Sequence, residues 1–270
     1  MANKMTKDLH KQHHHLEHLN SDPWQQLKAF TRARIAIGRV GTSLPTKEIL
    51  DFGLSHAMAR DAVHLALDVN ALETDLQFLG YSTTQVHSQA PDRAAYLLRP
   101  DWGRKLDAPS LSLLKAKKTS GSIDLLIIVG DGLSSLAVSR HVMPLLVECQ
   151  KILPKQWHAN HLVIASQARV AIGDEIGQAL NAKMVVMLIG ERPGLSSPDS
   201  LGIYLTFNPK VGLTDADRNC ISNVRPEGLL YAAAARKLVW LVKEGMRIKL
   251  TGVNLKDESD VQTINSEKLV

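Results

Sequence analysis

At 270 residues the chain can form one large domain, or an ordinary one with an extension, and its 44% hydrophobic and 22% charged content is that of a globular protein. The formal net charge of +5 is spread along the chain, with no arginine-rich tract, aromatic-interleaved RNA-binding signature or zinc-finger spacing, so no nucleic-acid partner is expected. Two cysteines, Cys149 and Cys220, are too few and too distant for a disulfide framework or a CxxC pair.

The amino-terminal stretch has no apolar core of a secretory signal, and no run approaches the ~18 apolar residues of a membrane span. No membrane association is therefore expected, and an intracellular chain with reduced thiols is. Aromatic residues are only 4%, so the core must be aliphatic, which suits a parallel sheet covered by helices.

The first twenty residues are polar and rich in histidine. His10, His13, His14, His15 and His18 could share a helical face, but no Cys or carboxylate is spaced to complete a designed metal site. A loose arm or a partner-docking helix suits them better. Asp22-Pro23 is a helix-start signature, with helix expected from Trp24 to Ile37, up to Gly38. Thr46 is expected to cap a second helix, Lys47 to about Asp68. Gln77 to Leu98 reads as mixed and loop-rich, and Arg99 to Arg104 as a charged turn.

The second half is more regular. Asp124–Val129 is an aliphatic strand, and a helix follows that is interrupted or ended near Pro144 and resumes through Leu153. His161–Ala165 is a strand, Ile172–Asn181 a helix, Met184–Ile189 a strand, Leu201–Phe207 a further strand and Leu229–Lys249 a closing helix. This βαβ rhythm predicts a Rossmann-like, doubly wound, mostly parallel sheet with a helical amino-terminal extension. The expected divisions are an arm over 1–22, a helical region over 23–106, the sheet domain over 107–256 and a tail over 257–270.

Ligands in such sheets sit beyond the carboxyl ends of the strands. The segments of interest are therefore Gly130–Ser135, Ala165–Ala171 and Gly190–Gly194. Gly130-Asp131-Gly132 opens like a dinucleotide fingerprint, but Ser135 stands at the third glycine, and Ala165-Ser166-Gln167 supplies no acidic residue. What remains is a small-residue turn whose N–H groups could receive a phosphate, amide or carboxylate, or simply a serine-capped turn. Glu191 could accept hydrogen bonds from a ligand, or pair locally with Arg192. Cys220 has no histidine after it in the chain and reads as a small packing residue rather than a nucleophile.

Five strings occur in order: Leu97-Leu98-Arg99-Pro100-Asp101-Trp102-Gly103-Arg104, Asp131-Gly132-Leu133-Ser134, Gly190-Glu191-Arg192-Pro193-Gly194, Asp217-Arg218-Asn219-Cys220-Ile221-Ser222-Asn223 and Thr251-Gly252-Val253-Asn254. Together they resemble the small subunit of ethanolamine ammonia-lyase, from about Trp24 to Leu255. The resemblance implies a carbon–nitrogen lyase that turns ethanolamine into acetaldehyde and ammonia by a radical rearrangement with adenosylcobalamin. It implies a hetero-oligomer with a large TIM-barrel subunit, against which this chain covers the cobalamin. It also implies cobalamin contacts at Val170, Glu191 and Cys220, none of them catalytic. The chain has no Asp-x-His-x-x-Gly loop of the kind that places a histidine on cobalt, so base-on binding is expected. The expected location is cytoplasmic; some members of the family are packed into bacterial microcompartments.

Overall fold

The computed structural model describes residues 22–260, apart from 32, 119 and 158–160. The His-rich segment lies outside the described residues. Two compact units are distinguished: residues 1–60 with 194–197, and residues 61–193 with 198–270.

In the first unit Asp22 caps its segment by accepting the Trp24 N–H at 2.9 Å, as Asp-Pro predicts. The helix that follows is a short 3-10 helix, Pro23–Ala29, and not the run to Ile37 that was expected. None of its residues is buried. Short helices without a packed face are marginal in water, so propensity alone does not extend it. Helix α1 (Thr46–His64) begins here. Arg34 donates to the Glu48 carbonyl at 2.8 Å and lies 4.9 Å from the centre of the Phe52 ring, fixing the preceding loop to the helix.

The expected second helix is α1, which already includes Thr46 and ends at His64 rather than near Asp68, and Asp68 caps a further helix instead. Its carboxylate accepts the Ala71 N–H at 3.0 Å and starts α2 (Val69–Phe78). The stretch read as loop-rich contains strand β1 (Ser82–His87) and helix α3 (Arg93–Leu98). Helix α4 (Ala108–Lys117), also unanticipated, starts at an Asp107 cap followed by Pro109. The remaining elements are β2 (Ile123–Gly130), α5 (Ser135–Ile152), β3 (His161–Ser166), α6 (Ile172–Ala179), β4 (Ala182–Gly190), β5 (Leu201–Phe207), β6 (Arg218–Val224) and α7 (Tyr231–Ile248). Helix α5 runs through Pro144 without ending: Val142, Leu145, Leu146 and Cys149 on either side are buried, and packing outweighs the lost N–H.

The chain is thus an α/β protein with a six-stranded mixed sheet of order β1-β3-β2-β4-β5-β6. The first four strands in that order are parallel, and β5 and β6 extend the sheet antiparallel. Alternate residues of β2 divide between two cores. Leu125, Ile127 and Val129 face α2, α5 and α7, whereas Leu126 and Ile128 face α4 and α6. Burial on both faces is why these strands read as unbroken aliphatic runs. Each fully buried Ile or Leu contributes ~1.5–3 kcal/mol relative to exposure. Among the described residues no helix is long and apolar enough to cross a membrane.

Two histidines in this framework make stability sensitive to pH. His141 sits in α5, with Tyr231 Oη 2.8 Å from Nδ1 and Asp199 3.5 Å from Nε2. His161 begins β3 between Ser82 and Thr84. Burial lowers the pKa of both, outweighing Asp199 at His141 and reinforced by Lys117 at His161. The folded chain therefore binds these protons less readily than the unfolded chain, whose imidazoles titrate near ~6.5. The stabilisation is complete above that pH and is lost as pH falls through the lowered folded values. The melting temperature at pH 5.5 should lie below that at pH 7.5, and the gap should narrow in the double variant His141→Gln, His161→Gln. An unchanged gap in that variant would assign the effect elsewhere.

Candidate functional site

A cleft of about 420 Å³ opens at the carboxyl ends of the parallel strands. Each of the exit loops singled out in the sequence contributes: Gly132 and Leu133 after β2, Arg169 and Val170 after β3, and Gly190, Glu191 and Arg192 after β4. Tyr96 of α3 and Tyr204 of β5 close the sides.

The glycines let two backbones touch. Gly132 has φ +62, and Leu133 N–H donates to the Gly190 carbonyl at 2.9 Å. A Cβ on Gly132 would lie 2.1 Å from that carbonyl oxygen. Buried Asp131 then occupies one amide of the glycine-rich turn and two of the β3 exit. Its Oδ1 accepts the N–H groups of Gly132 at 2.9 Å and Ala168 at 2.8 Å, and its Oδ2 that of Gln167 at 2.9 Å. The turn is therefore not a phosphate cradle, because the chain's own carboxylate fills it. Burial holds the Asp131 carboxyl above the ordinary carboxylate range, and these donors together with Arg93, 3.6 Å away, oppose it in part. We take it as ionised, since three backbone donors satisfy a carboxylate better than an acid.

Arg93 links the loops further. It donates to the Gly132 carbonyl at 2.8 Å and the Val63 carbonyl at 2.7 Å. Its guanidinium and that of Arg169 lie 4.6 and 4.3 Å from the centre of the Tyr96 ring. Tyr96 Oη donates to the Ala168 carbonyl at 3.0 Å, fixing the ring.

Val170 is half-buried in the cleft wall, and its carbonyl already accepts Gly173 N–H at 3.1 Å. Glu191 lines the cleft, but its carboxylate turns to its own chain. Oε1 accepts Ser222 Oγ at 2.6 Å, and Oε2 accepts the Asn223 N–H at 3.1 Å and Ser200 Oγ in a short hydrogen bond. Among the described residues it makes no ion pair with Arg192, the local alternative left open by the sequence. Glu191 thereby ties the β4 exit to β5 and β6, with one lone-pair direction of Oε1 in reserve. Cys220 lies on β6, paired with Tyr204 of β5, so it stands one strand behind the cleft wall. Cys220 is exposed, yet partial desolvation by the surrounding chain raises its thiol pKa, the Tyr204 hydroxyl opposes this, and the Glu191 charge adds to it. Burial pushes Cys149 up to about 12, so neither thiol is a poised nucleophile.

The chain matches the family model described as ethanolamine ammonia-lyase light chain over residues 21–256. The chain belongs to this family. Its similarity to curated members is high: 57% identity to the ethanolamine ammonia-lyase small subunit of Pseudomonas fluorescens, over 91% of each chain. The small subunit of Pseudomonas putida is 55% identical over 91% of this chain and 92% of its own length. That of Pseudomonas aeruginosa is 54% identical over 91% of both.

The strings that carried the resemblance to the light-chain family have visible structural work. Asn219 receives the Gly252 N–H at 2.8 Å and donates to the Leu255 carbonyl at 2.8 Å, while Thr251 Oγ donates to the Asp217 carbonyl at 2.7 Å. The closing Thr-Gly-Val-Asn segment is thus docked onto the strand that carries Cys220. The Gly103 carbonyl accepts the Arg169 N–H at 2.8 Å, and a Cβ on Gly103 would meet Arg169 Cγ at 2.8 Å. Sequence reasoning missed Tyr96, Arg169 and Tyr204 as cleft residues, and Arg93 as the link between their loops. Only Arg169, adjacent to Val170 in an exit loop, carried any positional signal.

Proposed function

We propose that this chain is the small subunit of an adenosylcobalamin-dependent ethanolamine ammonia-lyase, and that its cleft holds one edge of the cofactor against a large TIM-barrel subunit. The observation that carries this reading is the convergence of three strand exits on one cleft in a chain of the light-chain family. Pockets that engulf drug-sized ligands span roughly 300–1,000 Å³. A corrinoid is larger than a cleft of about 420 Å³ can enclose. Such a cleft suits part of the ligand, with the rest covered by a partner.

The donor set suits a ring rimmed with amides. Val170 offers main-chain groups and apolar contact, Glu191 one remaining acceptor direction, and Tyr204 a ring backed by Cys220. Adenosylcobalamin held there would supply the radical chemistry of the reaction. The residues of this chain bind and orient it and exclude water from that side. Glu191, held by Ser200, Ser222 and Asn223, fixes the β4 exit against β5 and β6 beside it. The chemistry on ethanolamine belongs to the large subunit, in the cytoplasm or within a microcompartment.

The test is coexpression with the cognate large subunit, followed by assay of acetaldehyde release from ethanolamine with added adenosylcobalamin. Activity is expected from the pair and from neither chain alone. Glu191→Ala should raise the cofactor concentration for half-maximal rate by roughly tenfold, the scale of one hydrogen bond to a charged group. Formation of a complex without cofactor-dependent turnover would overturn the reading.

A further inference from the structure

Two guanidiniums in the cleft have no carboxylate paired with them, since the Glu191 carboxylate that lines the same cleft is turned to Ser200, Ser222 and Asn223. Arg93 is paired with Asp131. Arg169 and Arg192 both line the cleft, and among the described residues neither has a carboxylate within 4 Å. Arg169 Nε is buried and makes no hydrogen bond. A half-buried guanidinium without a counter-charge is costly unless a ligand supplies one.

Arg169 is nevertheless held in position. Its backbone N–H is fixed to Gly103 and its Cγ packs where Gly103 has no side chain. The guanidinium stacks on Tyr96, and Nη2 donates to the Tyr96 carbonyl at 3.4 Å. Tyr96 is itself fully buried and tied to Ala168. This is a pre-positioned planar donor of the kind that takes phosphate in two parallel hydrogen bonds. The competing anion donors nearby are spent, since the amides of Gly132, Gln167 and Ala168 already serve Asp131.

We propose that Arg169, assisted by Arg192, anchors the anionic phosphodiester in the nucleotide loop of the corrinoid. This rests on the cobalamin reading above and adds to it a residue and the part of the ligand it recognises. The neutral amide rim calls for none of this charge, and the phosphodiester is the group on the ligand that does. Arg169 is a binding residue here and moves no proton.

The experiment measures corrinoid binding to the small–large subunit complex by visible difference spectra, without turnover. The probes are hydroxocobalamin, which carries the phosphodiester, and cobinamide, which lacks the nucleotide loop. Arg169→Gln should weaken cobalamin binding about 10- to 100-fold, the scale of one charge-assisted pair, and leave cobinamide within about twofold. Arg169→Lys keeps the charge without the planar fork and should recover part of the lost affinity. Arg192→Gln, at a more exposed position, should show a smaller loss with the same selectivity. If the Arg169 variants lose both corrinoids equally, the phosphodiester assignment is wrong while the cobalamin reading stands. If the wild-type complex binds neither probe, the cobalamin reading itself fails.

Discussion

Asp174→Ala should cost about 3 kcal/mol of unfolding free energy, because it leaves the buried Arg218 charge with only the exposed Asp215 carboxylate, 3.6 Å away. Asp174 of α6 and Arg218 at the start of β6 form a two-pronged pair at 2.6 and 2.8 Å. Their side chains are 4% and 2% exposed, so solvent cannot take over when one is removed. Arg218 also donates to Thr206 Oγ at 3.2 Å and to the Leu213 carbonyl at 3.3 Å. The pair therefore joins the helix beneath Val170 to the strand that carries Cys220, through β5. Arg218→Met should cost as much, for the mirror-image reason. The double variant Asp174→Leu, Arg218→Met should recover most of the loss, because an apolar pair has no charge to desolvate. Urea denaturation of the purified chain reads all three. Single substitutions costing under ~1 kcal/mol would show that water reaches the pair.

The same pair marks where the sequence stopped being readable. The strands β2, β3 and β4 were legible because they are buried on both faces and their aliphatic runs have no other use. The edge strands were not. β1 is Ser-Thr-Thr-Gln-Val-His, and only Thr84 and Val86 in it are buried. β6 is Arg-Asn-Cys-Ile-Ser-Asn-Val, where only Ile221 and Val224 are buried apolar residues and an ion pair and the Glu191 hydrogen bonds hold the rest. Alternation that weak is lost among polar residues. Helix ends failed where a cap was mistaken for a terminus, as at Asp68, or where propensity lacked a face to pack on, as after Ala29.

The cleft followed the same division. The sheet rule located the exit loops, because strand ends were readable and ligand sites follow from them. Tyr96 reaches the cleft from α3, and Tyr204 from an antiparallel strand. No spacing rule connects either of them to Gly132 or Val170. The partners of Glu191 are 9, 31 and 32 residues away in sequence, so its role as a tie could only be seen in the folded chain. Likewise, the Gly130-Asp131-Gly132 turn looks available for an anion until Asp131 is seen to fill it.

Gly190→Ala should destabilise by at least ~3 kcal/mol, at the upper end for overpacking, because backbone rather than side chains blocks the added methyl. A Cβ at Gly190 would lie 2.0 Å from the Ser134 carbonyl oxygen and 2.7 Å from that of Asp131. Both atoms belong to the turn between β2 and α5, which is itself fixed by Asp131 and by Ser134 Oγ donating to the Pro198 carbonyl at 2.8 Å. Neither can retreat without separating β2 from β4 at the cleft floor. Gly53→Ala is the informative control. It lies within α1, nothing is within 4 Å of its would-be Cβ, and helix propensity predicts a gain of up to ~1 kcal/mol. Thermal unfolding should therefore move in opposite directions for two chemically identical substitutions. Any Gly190→Ala protein that still folds with the large subunit should bind hydroxocobalamin and cobinamide equally poorly, since the floor beneath both is displaced. That pattern differs from the cobalamin-selective loss expected at Arg169, so the two variants separate the shape of the cleft from its charge. Unimpaired folding and binding in Gly190→Ala would mean that the β2 and β4 exits are not in contact in the working protein.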